Sequence, residues 1–178
     1  MKVGQVHNDV TAETLRLPGH RPARFWWGWA LALTLTGLLL ILATLPPFVD
    51  PGWRALLMQG FSTACHQIPE RSPAVGGVSL AVCHRCYGVY WGLPLAALVF
   101  LGLARWGAFL NRYAGLILLG ALIPTGIDWL LGALGLWHNT PLSRLTTGGV
   151  LGLITGYYLA RALTQIFVPK RIPPPTGS

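Results

Sequence analysis

From Phe25 to Val49 the chain carries no charged residue. A helix that crosses a bilayer needs about 20 consecutive apolar residues, and FWWGWALALTLTGLLLILATL supplies them before Pro46 and Pro47 halt any helix. In hydrocarbon every backbone N–H and C=O must be satisfied within the protein, so a run of this kind has one stable solution, a helix. Trp26, Trp27 and Trp29 follow Arg21 and Arg24 closely, which is how interfacial anchors are arranged. The stretch is too long and starts too late for a cleaved signal peptide, and it lacks a small-residue cleavage pattern. It is expected to be a retained span.

Composition says the same of the whole chain. Of 178 residues, 53% are hydrophobic and 10% charged, against roughly 25% charged in a soluble domain. A water-borne globule would expose too much apolar surface, and disorder requires low hydrophobicity. Three further runs qualify as spans. Residues 86–104 lie uncharged between Arg85 and Arg105; residues 113–136 hold one charge, Asp128; residues 145–168 hold Arg161 near their far end. An arginine there can snorkel to the headgroups. The expected fold is therefore all-α and integral to the membrane, a four-helix domain over 25–168. Its spans fall at about 25–46, 86–104, 113–136 and 145–168, between an N-terminal tail (1–24) and a C-terminal tail (169–178). The loop 47–85 joins the first two spans. Within it, Pro51 to about His66 reads as an interfacial helix with Trp53, Leu56, Leu57 and Phe61 on one side, and Gly76-Gly77 as a turn.

Lys and Arg set the orientation. With the N-terminus inside, nine fall on the inner side and Arg54, Arg71, Arg85 and Arg144 on the outer. Both termini are thus expected in the cytoplasm of a bacterial inner membrane, with the cysteine loop outside. Topology and anionic lipid account for the net charge of +8. The basic residues are dispersed, without the patch that nucleic-acid binding needs. The expected partners are lipids, with other membrane subunits or self-association; Gly148, Gly152 and Gly156, spaced as Gly-x-x-x-Gly, mark a face expected to pack against another helix.

The loop and the first residue of the span after it hold all three cysteines, Cys65, Cys83 and Cys86, with His66 and His84 directly after two of them. A Cys-x-x-Cys turn lets two thiolates approach one ion; a third thiolate and an imidazole complete a Cys₃His set of the structural zinc type. Zinc is the expected metal, ahead of copper or an iron–sulfur cluster. Of the two histidines, His66 is the freer to fold back. The same pattern also suits a Cys83–Cys86 disulfide, thiol exchange or plain packing of small hydrophobes.

Asp128 is the second signal, because a carboxylate inside a membrane helix is costly and needs a partner. At about 1.5 Å per residue it lies roughly 22 Å along its span from Tyr113, towards the cysteine end. Arg85 and Arg144 are the opposite charges expected on that side, and Glu70 and Arg71 join the same polar cluster. Asp128 is also the candidate for any proton-handling role; the bland alternative is an Asp–Arg pair that fixes helix packing.

The strings CHQIPERS (Cys65 to Ser72) and CHRCYGVYWG (Cys83 to Gly92) resemble the paired signature of an uncharacterised family of small bacterial membrane proteins, known by its domain of unknown function. The resemblance spans about residues 50–160, with Asp128 and the Asn139, Arg144, Thr147-Gly148 segment similar to the downstream pattern. Tyr87 and Pro73 depart from it. The resemblance implies the same Cys set and supplies no activity. Three functions follow as expectations: a membrane protein with a Cys/His metal site beside an Asp–Arg cluster, an accessory subunit of a larger assembly such as a respiratory or photosynthetic one, or a membrane thiol-disulfide oxidoreductase.

Overall fold

The computed structural model describes residues 23–136 and 139–167. Most of the two tails, with Trp137 and His138, lies outside the described residues, and so do the expectations placed on them.

The described chain is mostly helical. Helix α1 runs Ala23–Thr44 and stops where Pro46 opens a short 3-10 turn, Pro46–Phe48. Helix α2, Pro51–Ser62, begins with proline at its first position, where the missing N–H costs nothing. A 3-10 turn at Pro69–Arg71 leads to a two-residue hairpin, β1 (Ala74–Val75) against β2 (Val78–Ser79). Its turn is Gly76-Gly77, both at positive φ, as a tight hairpin of this hand requires. Helix α3 spans His84–Val99, and a 3-10 stretch, Gly102–Trp106, leads to short α4, Gly107–Arg112. Helices α5 (Ala114–Ala133) and α6 (Pro141–Phe167) complete the order.

Three of these, α1, α5 and α6, are long and apolar enough to cross a membrane. The expected run at 86–104 is α-helical only from His84 to Val99. Gly102, a poor helix former, starts the 3-10 segment that replaces the last turn. The expected boundaries otherwise shift by a few residues. Helix α6 begins earlier than expected, because Pro141 is tolerated in a first turn.

Packing centres on α3 against α6, with α1 laid over both and α5 touching α6. Glycine makes the central contact possible. A Cβ added to Gly92 would lie 2.6 Å from Gly149 O and Leu153 N, and one on Gly156 would lie 2.7 Å from Leu93 O. The two backbones are in direct contact, so dispersion replaces the hydrophobic drive that lipid cannot supply. Phe25, Phe100 and Tyr157 fill the space beyond the glycines. Leu116, Leu119, Ile123, Ile127 and the other outward apolar residues of α5 stay exposed, as a lipid-facing helix should. At the end opposite the cysteines, Trp29 Nε1 donates to Ala97 O at 2.8 Å, and Tyr158 Oη donates to Leu110 O at 2.7 Å.

Gly156→Ala is expected to destabilise the bundle by about 1–3 kcal/mol through overpacking. Gly120→Ala, where nothing lies within 4 Å, should be neutral or mildly stabilising. Thermal unfolding in detergent followed by circular dichroism checks both.

Candidate metal centre

The C-terminus of α1, the N-terminus of α3, the C-terminal part of α5 and the N-terminus of α6 meet at one end of the bundle, under the 47–85 loop. The loop is seated, not trailing. Ala81 N donates to Ala43 O at 3.0 Å, and Phe61, Cys65, Ala81 and Val82 form a small buried cluster against the end of α1. Gln67 stitches it together: its Nε2 donates to Met58 O at 2.6 Å and to Ala81 O at 2.8 Å. Gln67 holds a positive φ of 50°, an uncommon conformation for a residue other than glycine. These two bonds tie α2 to the strand that feeds Cys83. In the sequence Gln67 stands out only as a letter of the CHQ string, because a bridging amide leaves no spacing signal.

The loop brings the three cysteines together. Cys65 follows α2, and its N–H is held by Phe61 O at 3.0 Å. Cys83 is the N-cap of α3, and Cys86 lies in the first turn of that helix. The three sulfur atoms lie within 4.8 Å of one another, and all three cysteines are free thiols. Cys83 N donates to Cys65 Sγ at 3.2 Å. The Cys65 thiol, then the Cys86 thiol and the Cys86 and Arg85 backbone N–H groups, all favour the thiolate of Cys83. They pull its pKa far below the ordinary thiol range, against an upward push from partial burial. A helix N-terminus is where a thiolate is expected to be stabilised.

Neither histidine joins the sulfurs. His66 is exposed, and its ring nitrogens lie outside the three-sulfur group. His84 Nδ1 sits 2.7 Å from Arg71 O, which pins the ring to the loop.

The polar cluster stands beside the sulfurs. Asp128 is 8% exposed and forms an ion pair with Arg85. It also accepts from Ser143 Oγ at 3.0 Å and from Asn139 Nδ2 at 3.2 Å, and the same Nδ2 donates to Asp128 O at 2.7 Å. One carboxylate therefore ties the first turn of α3, α5, the segment entering α6 and the first turn of α6. By residue type and position in the chain, Asn139 and Ser143 look like ordinary loop and cap residues. The local signal is the same for a cap and for a carboxylate donor, so only three-dimensional proximity separates them. Arg144 makes no ion pair with Asp128. It faces a cavity of about 580 Å³ together with Arg71, Arg85 and the three cysteines. Glu70 is exposed on the Pro69–Arg71 turn and does not line that cavity. Arg85 Nε and Asn139 Oδ1 are buried without a hydrogen-bond partner.

A family described as predicted membrane proteins, DUF2085, matches residues 65–158, more than half of the sequence. The chain belongs to this family. The match opens on Cys65 and so takes in the three cysteines, the Asp128 cluster and the glycine contact of α3 with α6. An uncharacterized protein of Methanocaldococcus jannaschii is 31% identical over 112 residues, which cover 62% of this chain and 70% of the relative. That relative is archaeal, so the expected bacterial membrane finds no support in it. No solved structure matches the chain.

Asp128→Ala leaves the Arg85 guanidinium unanswered in low dielectric and is expected to cost about 3–5 kcal/mol. Asp128→Asn keeps a hydrogen-bonding group there and should cost less. Detergent unfolding measures the difference. In metal-free, reduced protein Cys83 is expected to alkylate with N-ethylmaleimide at pH 6 almost as fast as at pH 8, because its thiolate is already formed. An ordinary thiol would slow about 100-fold over that interval. Mass spectrometry of the labelled peptides reads this out.

Proposed function

We propose that this protein is a four-span membrane protein that binds one soft divalent metal, zinc first, on Cys65, Cys83 and Cys86, with the polar Asp128 cluster as its support. The observation that carries the reading is the mutual approach of three unbonded sulfurs to within 4.8 Å. Cys65 lies well before the Cys-x-x-Cys pair in the chain, yet the loop brings its sulfur to theirs. Thiolate is the donor that zinc, copper(I) and iron–sulfur clusters share, and a preformed Cys83 thiolate lowers the proton cost of loading. When bound, zinc would brace the loop or act as a Lewis acid.

The sequence pattern pointed to a closed Cys₃His set. His66 lies outside the sulfur group, so the proposal is a three-thiolate site whose fourth position faces the cavity. An open position is what distinguishes a ligand-accepting zinc site from a purely structural one.

The span count is supported by parity. Helix α1 ends at the cysteine end, α3 begins there, α5 places Asp128 there and α6 begins there, so the four helices run alternately towards and away from that end. Although α3 itself is 16 residues long, the uncharged run continues to Ala104. The count of Lys and Arg in the sequence, nine on the side of the tails against four on the cysteine side, supports a reading with both termini in the cytoplasm and the cysteines outside. The α2 helix, with Trp53 and Leu56 exposed, lies in the interface.

The depressed Cys83 thiol favours a second reading, thiol exchange between Cys83 and Cys86 with Cys65 resolving. One preparation separates the two. Purified wild-type protein is expected to hold one metal ion per chain by elemental analysis, with all three thiols protected from alkylation until a chelator is added. Cys65→Ser, Cys83→Ser and Cys86→Ser should each lose the metal, and His66→Ala should keep it. Wild-type protein without stoichiometric metal, whose thiols cycle with a dithiol reductant, would turn the assignment to exchange chemistry.

A further inference from the structure

We infer that the cavity beside the three sulfurs binds an oxyanion, a phosphate or carboxylate group carried on a small, partly apolar body, with Arg144 and Arg71 as its charge partners. The inference rests on the metal reading above, since it places the anionic group next to the open fourth position of that site.

Charge is the first observation. Arg71, Arg85 and Arg144 line the cavity, and no Asp or Glu does. Asp128 neutralises Arg85. Among the described residues no hydrogen bond or ion pair engages the guanidinium of Arg71 or Arg144, so two cations face the cavity without an anion. A divalent ion on three thiolates carries one net negative charge, which leaves one positive charge over. One monoanionic group closes the balance.

Placement is the second. Arg144 lies in the first turn of α6 and Arg85 in the first turn of α3, where the helix dipole disfavours a cation. Helix stability therefore does not account for either. Arg85 is answered by Asp128, and Arg144 is half-buried with its donors unused. A guanidinium presents a planar fork that matches phosphate and carboxylate oxygens two at a time, and a lysine would do this less well.

Shape is the third. At about 580 Å³ the cavity has the size of a small-molecule pocket, far more than a bare ion needs. Trp129, Ile68, Ala64 and Ala133 add apolar lining to the same cavity. A ligand that satisfies both kinds of lining has an anionic head and an apolar portion. Two sources share that chemistry, a water-borne metabolite and a phospholipid headgroup, because Trp129 is exposed on a lipid-facing helix.

The test uses full-length, zinc-loaded protein in lipid-free detergent, with metal content measured on each sample and binding followed by calorimetry. Inorganic phosphate and succinate are the water-borne probes; mixed micelles containing phosphatidylglycerol, against phosphatidylcholine micelles, are the lipid probe. Saturable binding at one per chain is expected, weakened at least tenfold in Arg144→Gln and in Arg71→Gln while zinc stays at one per chain. Arg71 is exposed, so its variant serves if Arg144→Gln fails to fold. Saturation by a water-borne probe assigns the site to a soluble anion, and saturation by phosphatidylglycerol alone assigns it to lipid. Full zinc with no binding of any probe, or binding unchanged in both variants, overturns the inference and leaves the metal reading standing. Wild-type protein without zinc ends the metal reading, and the inference in this form falls with it.

Discussion

Asp128 is a buried carboxylate on a helix whose exposed side chains are apolar. A charge in that setting has to be met by a cation and by hydrogen-bond donors, since hydrocarbon offers neither. Arg85, Ser143 and Asn139 meet it, and they come from three other parts of the chain. Helix α5 makes little contact with α3, so the ion pair is the principal tie between them. The pair also orients the first turn of α3, which carries Cys83 and Cys86. Through that turn the carboxylate helps to set where the sulfurs of Cys83 and Cys86 lie.

The second constraint works through the absence of side chains. Glycines on α3 and α6 let the two backbones touch, and that contact sets how deep α3 sits relative to the start of α6. Arg85 on one helix and Ser143 on the other reach the same carboxylate because of this register. A polar network at one end of the bundle and glycine packing along its length are thus parts of one arrangement. Shifting either helix by a turn, about 5.4 Å, would separate the partners.

Much of this was legible in the residues. The uncharged runs read as helices because bilayers admit little else, and the intramembrane Asp128 announced its need for a cation, with Arg85 and Arg144 both candidates. The three cysteines drew attention through spacing alone. The short α3 was less legible: a run of apolar residues tells where hydrocarbon is tolerated, not where an α-helical ladder gives way to a 3-10 turn at Gly102. Asn139 and Ser143 sit in a polar connector where their types are ordinary, so their service to Asp128 left no pattern. Gln67 was invisible for the same reason. Its two hydrogen bonds are made to backbone carbonyls, which every residue possesses.

The amino-acid string by itself determined that the chain is a helical membrane protein, which residues avoid lipid, and which few polar side chains must find partners. These are local energies: the cost of a charge or an open peptide group in hydrocarbon depends on the residue and its immediate neighbours. Tertiary structure alone decided that Cys65 reaches Cys83 and Cys86 while His66 does not, and that Arg85 takes Asp128 and leaves Arg144 facing a cavity. Those outcomes depend on the path of a loop folded over the ends of helices. Such a path is the sum of many weak contacts between distant residues, and no periodicity or spacing in the chain encodes it.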